Sequence, residues 1–115
     1  MLYDIESSKE ITAGSSKTLF SFIVPEKNIL IFKKFGNQLS DTGAYGSVIF
    51  RIKINGNPVF PYHYITDQVG YLAMPKEITE FKLLPYDKVE IDAINNYGSA
   101  ITAGIVFQYE LYEKD

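Results

Sequence analysis

The chain has 115 residues, 46% of them hydrophobic and 22% charged, with a net charge of −3 and no cysteine. That length holds one domain with enough core to fold without staples, and the lack of thiols excludes disulfides and thiolate metal sites. A net negative charge speaks against a nucleic-acid partner, whose phosphates require a basic face.

No apolar run approaches the ~18 residues that a membrane span requires. The opening Met1-Leu2-Tyr3-Asp4-Ile5-Glu6 lacks the basic and apolar regions of a secretory signal. Neither a membrane partner nor a secretory route is therefore expected. Residues 1–57 carry seven Lys/Arg against five Asp/Glu, and residues 58–115 carry four against nine. Such an asymmetry could mark opposed patches used in self-association.

In chain order, residues 1–16 are polar and rich in Ser, Lys and Glu, with a weak strand candidate at 2–6. The segment reads as a candidate N-terminal arm that could order on a neighbouring subunit. Leu19–Val24, stopped by Pro25, and Ile29–Phe32, stopped by Gly36, are apolar on both faces and are expected to be central strands. Residues 36–46 hold three glycines and read as a long loop. Val48, Phe50, Ile52 and Ile54 alternate with Ile49, Arg51 and Lys53, and Asn55-Gly56 follows at once. That is a strong hairpin signal, because both turn residues tolerate the positive φ of a type I′ turn.

Residues 59–65 and 78–84 are weaker strand candidates, separated by a second long loop at 66–77. Val89, Ile91 and Ala93 alternate with Glu90 and Asp92, a face expected to be solvated along with Arg51 and Lys53. Ile101, Ala103, Ile105, Phe107, Tyr109 and Leu111 share one face of a long final strand. Seven or eight short strands with turn signals between them, and no helical period, predict an all-β, antiparallel two-sheet sandwich that is jelly-roll-like. Residues 1–115 form one domain on this reading.

The chemical candidates are few. Asp41-Thr42-Gly43-Ala44 matches the motif of retroviral-type aspartic proteases, which pair two carboxylates across a dimer. Here Leu39-Ser40 precedes the Asp where that family has apolar residues, and a glycine-rich flap is missing. The simpler reading is a turn in which Asp41 caps its own backbone and Gly43 supplies positive φ. His63 is the sole histidine and is expected to serve packing or an exposed contact, since one imidazole makes neither a zinc site nor a triad. The sequence thus predicts no catalytic residue, metal or cofactor, and a protein that is not an enzyme.

The aromatic residues carry more information. Nine tyrosines and eight phenylalanines accompany no tryptophan. The phenylalanines sit mainly at strand positions, as core residues do. Tyr45, Tyr62, Tyr64, Tyr71 and Tyr97 fall in or beside loops. Exposed tyrosines supply rigid contact area with a polar tip, which favours protein interfaces and also suits stacking on sugar rings. Binding is expected through the loops 36–46 and 66–77, long enough to be functional, and Tyr45, Tyr62, Tyr64, Tyr71 and Leu72, in or beside them, are the predicted protein-binding residues.

From Val24 to Tyr112 the chain resembles small jelly-roll structural proteins of tailed-phage virions, such as capsid decoration (cement) and head-fibre-type proteins. The resemblance is carried by Val24-Pro25-Glu26-Lys27, by Gly36, and by the hairpin Phe50-Arg51-Ile52-Lys53-Ile54-Asn55-Gly56-Asn57-Pro58-Val59. It continues through Leu84-Pro85-Tyr86-Asp87-Lys88-Val89-Glu90-Ile91-Asp92-Ala93-Ile94-Asn95-Asn96 and ends on Phe107-Gln108-Tyr109-Glu110-Leu111-Tyr112. These are turn and strand motifs. The resemblance implies a non-enzymatic virion component made in a host cytoplasm. Its expected partners are itself, as a homotrimer, and a major capsid or other virion protein. A carbohydrate- or receptor-binding β-sandwich is the alternative that the loop tyrosines leave open.

Overall fold

The structure, a computed structural model, describes residues 1–113. The strands are β1 (Leu2–Ile11), β2 (Ser16–Ile23), β3 (Asn28–Leu39), β4 (Val48–Ile54), β5 (Asn57–Pro58), β6 (Lys76–Glu77), β7 (Lys82–Leu83), β8 (Lys88–Asn95) and β9 (Ile101–Glu113), with a 3-10 turn at Thr42–Ala44. They form two antiparallel sheets. The first runs β1-β9-β3-β6, with β7 also on β3; the second runs β2-β8-β4-β5. Successive strands mostly switch sheets, an order compatible with a jelly roll.

The core lies between the sheets, and β alternation fills it. Ile101, Ala103, Ile105, Phe107 and Tyr109 of β9 face Val89, Ile91 and Ala93 of β8 and Val48, Phe50 and Ile52 of β4, all buried. Phe32 and Phe35 are three residues apart, yet both point inward. A register shift between Phe32 and Lys34 absorbs the odd residue, Lys33, as a bulge. Phe32 then meets Phe107 edge-on at 5.0 Å. Burying each such ring contributes roughly 1.5–3 kcal/mol. The Asn55-Gly56 turn has φ of 53° and 84°, as a type I′ hairpin demands.

Several local expectations change. Residues 1–16 do not form a free arm: β1 pairs with β9 from Leu2↔Glu110 to Ile11↔Ile101. Its residues are polar because an edge strand buries little, not because the segment lies off the domain. Residues 36–39 belong to β3, so the first loop starts at Ser40. β2 is an edge strand with Ile23 exposed, so an apolar run on both faces did not make it central. Residues 59–65 form no strand beyond the single bridge of Ile65 to Phe50. Within 78–84 only Lys82–Leu83 pair.

The charge asymmetry is absorbed by the fold. Lys33 pairs with Glu80 and Glu110, and Arg51 and Lys53 both pair with Asp92. Each of these four bridges joins a first-half cation to a second-half acid, while Lys88 and Glu90 pair within the second half. Asp92 is 6% exposed, so the sheet face expected to be solvated holds a buried carboxylate under two cations. Losing both cations would leave that charge uncompensated.

Candidate protein-binding surface

The segment 57–75 leaves β5, runs along the free side of β4, and crosses to the outer face of the first sheet. Its backbone is tied at each step. The Val59 N–H donates to the Ile52 carbonyl at 3.0 Å, the Ile52 N–H donates to the Tyr62 carbonyl at 3.0 Å, and Ile65 and Phe50 exchange both bonds at 2.8 and 2.9 Å. The Gly46 N–H then donates to the Thr66 carbonyl at 3.0 Å.

Asn37 makes the next attachment. Its fully buried side chain donates to the Asp67 carbonyl at 3.0 Å and accepts the Val69 N–H at 2.7 Å, while its own N–H donates to the Gly70 carbonyl at 3.1 Å. Beyond it the chain presses onto β3. A Cβ on Gly36 would lie 2.6 Å from the Tyr71 carbonyl oxygen, and one on Gly70 would lie 2.7 Å from the Lys76 nitrogen. Only glycine allows these approaches. Tyr71 and Met74 close a tight turn by exchanging two backbone bonds of 3.1 Å.

The fold divides the predicted contact residues into two kinds. Tyr45 and Tyr62 are half-buried against the core. The Tyr45 hydroxyl accepts the Leu39 N–H at 3.1 Å. The Tyr62 hydroxyl accepts the Thr79 N–H at 2.6 Å, with its ring edge-on to Phe81. Leu72 is half-buried on the outer face of β9, 3.3 Å from where a Cβ on Gly104 would stand. Tyr62 and Leu72 hold the segment in place, while Tyr45 fastens its own loop to the end of β3. Tyr64 and Tyr71 are each 60% exposed.

Sequence reasoning missed Phe60, 80% exposed, and Met74, 75% exposed. Phe60 stacks on His63 with ring centroids 5.4 Å apart, which places the sole histidine at the surface. Pro61, next to Phe60, was the available signal, since proline inside an apolar run argues against a paired strand.

Other groups are already engaged. Asp41 caps the 3-10 turn: its Oδ1 accepts the Gly43 N–H at 2.9 Å and its Oδ2 accepts the Tyr97 hydroxyl at 3.2 Å. The hydrogen bond to Asp41 raises the Tyr97 pKa. The residue with positive φ in this loop is Gly46, at 96°, and not Gly43. A shallow depression is lined by Lys33, Lys34, Glu77, Ile78 and Glu80. Its Lys33 is held as the ammonium ion, with a raised pKa, by a 2.7 Å hydrogen bond to Glu80. A protonated amine is no nucleophile. Among the described residues, no three His, Asp or Glu side chains come together as metal ligands would.

No protein-family model and no curated protein matches the chain. Among solved structures, dimeric latent PorU from Porphyromonas gingivalis is similar to it at a TM-score of 0.36 and 11% identity, over 93% of this chain and 13% of that one. The chain thus spans about an eighth of that protein's length.

Proposed function

We propose that the chain is a non-enzymatic binding protein: a virion structural component, either a capsid decoration or a head-associated protein. It self-associates, with a trimer favoured, and binds the capsid shell through segment 57–75. The observation that supports this reading is the set Phe60, Tyr64, Tyr71 and Met74, each at least 60% exposed on backbone pinned by Asn37, Tyr62 and Ile65. Rigid aromatic area on a preordered segment loses little entropy on binding, and exposed apolar groups gain by being covered. The resemblance of the strand and turn motifs to small virion proteins supplies the kind of partner.

Co-sedimentation with shells purified from the same particle tests this. Wild-type protein is expected to pellet with the shells, and F60S/Y64S/Y71S to stay in the supernatant. A wild type that does not bind shells would overturn the virion reading. The exposed Tyr64 and Tyr71 rings also suit a sugar. Retention on a glycan array, abolished by Tyr71→Ala, would favour the carbohydrate- or receptor-binding module instead.

A further inference from the structure

Sheet edges are ready templates for another chain unless they are covered or distorted, and this fold treats its four edges unequally. The free side of β3 is covered by β6, β7 and the bonds to Gly70 and Phe81. The free side of β4 is covered by β5, Tyr62 and Ile65. The β2 edge is broken by a bulge between Thr18 and Phe20. Among the described residues β1 alone is a long, regular edge, with ten residues in unbroken register on β9.

Its backbone polarity can be read from the ladder. Met1 and Leu111 exchange both backbone bonds at 2.9 Å, and the register from Leu2 to Ile11 never shifts. The odd residues of β1 therefore bond β9. Consistently, the Ser40 N–H donates to the Thr102 carbonyl at 3.0 Å, which turns the even residues of β9 towards β3. Leu2, Asp4, Glu6, Ser8 and Glu10 thus aim their N–H and C=O groups away from the sheet. Their side chains share its outer face, where Gln108 donates to Asp4 at 3.1 Å. Asp4, Glu6 and Glu10 are exposed, and none of them forms an ion pair among the described residues.

We propose that the β1 edge accepts, in antiparallel register, an extended segment of a partner protein with Lys or Arg opposite Asp4, Glu6 and Glu10 and apolar residues over Tyr3 and Ile5. The edge supplies the ladder, and the acidic stripe on alternate residues supplies the selectivity. A second copy of this chain does not fit. Residues opposed across an antiparallel two-fold must share parity, because both must aim their backbone outward. An axis at Ile5 then opposes Asp4 to Glu6, one at Glu6 opposes Glu6 to itself, and one at Ser7 opposes Asp4 to Glu10. An axis at Ser8 opposes Glu6 to Glu10, and one at Lys9 opposes Lys9 to itself. Every such register sets like charges face to face, which is destabilising.

The test uses the full chain and the synthetic peptide Lys-Thr-Thr-Val-Lys-Val-Lys-Val-Thr, followed by amide NMR. The expected result is a shift and slowed exchange at Asp4, Glu6, Ser8 and Glu10, with binding that weakens as salt rises. A peptide with Glu in place of each Lys should bind at least about tenfold more weakly, roughly one step of 1.4 kcal/mol. N-methylation of the peptide's outward-matching amides should abolish binding. Glu6→Pro removes an outward N–H and one carboxylate of the stripe but no bond to β9, so it should keep the fold and lose the peptide. No change in these amides at about 1 mM peptide, equal binding of the Glu peptide, or a β1–β1 dimer in solution would each overturn the proposal.

Discussion

Replacing Asn37 with alanine removes the two side-chain bonds that hold segment 66–77 to β3, at 2.7 and 3.0 Å. The Asn37 backbone bond to Gly70 remains. If the segment stayed in place, the Val69 N–H and the Asp67 carbonyl would lose their partners, at about 1–3 kcal/mol each. The segment lies at the surface, so water can reach both groups once it lifts, and the lower end of the range applies. The expected loss is about 2 kcal/mol by urea unfolding, or a fall in Tm of roughly 10 °C. Amide exchange should locate the damage: Val69 should exchange far faster, while Ile105 and Phe107 in the core should follow only the global change. A variant within ~0.5 kcal/mol of wild type, with Val69 still protected, would show that Asn37 is not what orders the segment, and the reasoning would fail.

Gly56→Val should cost about 1–3 kcal/mol through backbone strain alone, since φ is +84° and nothing lies within 4 Å of its would-be Cβ; an unchanged melting temperature would refute the type I′ turn. Asp41→Asn should leave the protein without peptide-cleaving activity, as wild type is expected to be; cleavage by wild type that this change abolishes would restore the protease reading. Stability should fall as the solution becomes strongly alkaline. Burial raises the Tyr109 pKa above 10.0 and the hydrogen bond to Asp41 raises that of Tyr97. Raised folded-state values mean stability that is present below the unfolded pKa and lost as pH climbs through the folded one. A melting temperature that holds level through that range would contradict this.

The sequence carried the long strands because period-2 burial writes itself plainly over eight or more residues, as in Ile101–Tyr109. The Asn55-Gly56 turn was equally legible, its chemistry being local. Edge and centre were not distinguishable. Leu19–Val24 reads as central and Met1–Ser16 as an arm, yet both flank their sheets, because polarity reports burial of a face and not position in the pairing order. The contact residues were legible only as a class. Tyr45 and Tyr62 look like Tyr64 and Tyr71 in a list of loop tyrosines. What separates them is a hydroxyl that finds Leu39 or Thr79, a long-range fact that no spacing encodes. Phe60 was hidden by the opposite error, an apolar residue assigned to the core by type.

On the proposed function, Phe60, Tyr64 and Tyr71 of segment 57–75 carry the self-association as well as the shell contact. Light scattering at roughly tens of micromolar, a range where a stable oligomer persists by mass action, tests it most directly. Wild type should give the mass of an oligomer, a trimer by expectation, and folded F60S/Y64S/Y71S the mass of one chain, because truncating an aromatic anchor typically costs at least about 2 kcal/mol. A monomeric wild type, or a triple variant that assembles unchanged, would show that segment 57–75 does not carry self-association.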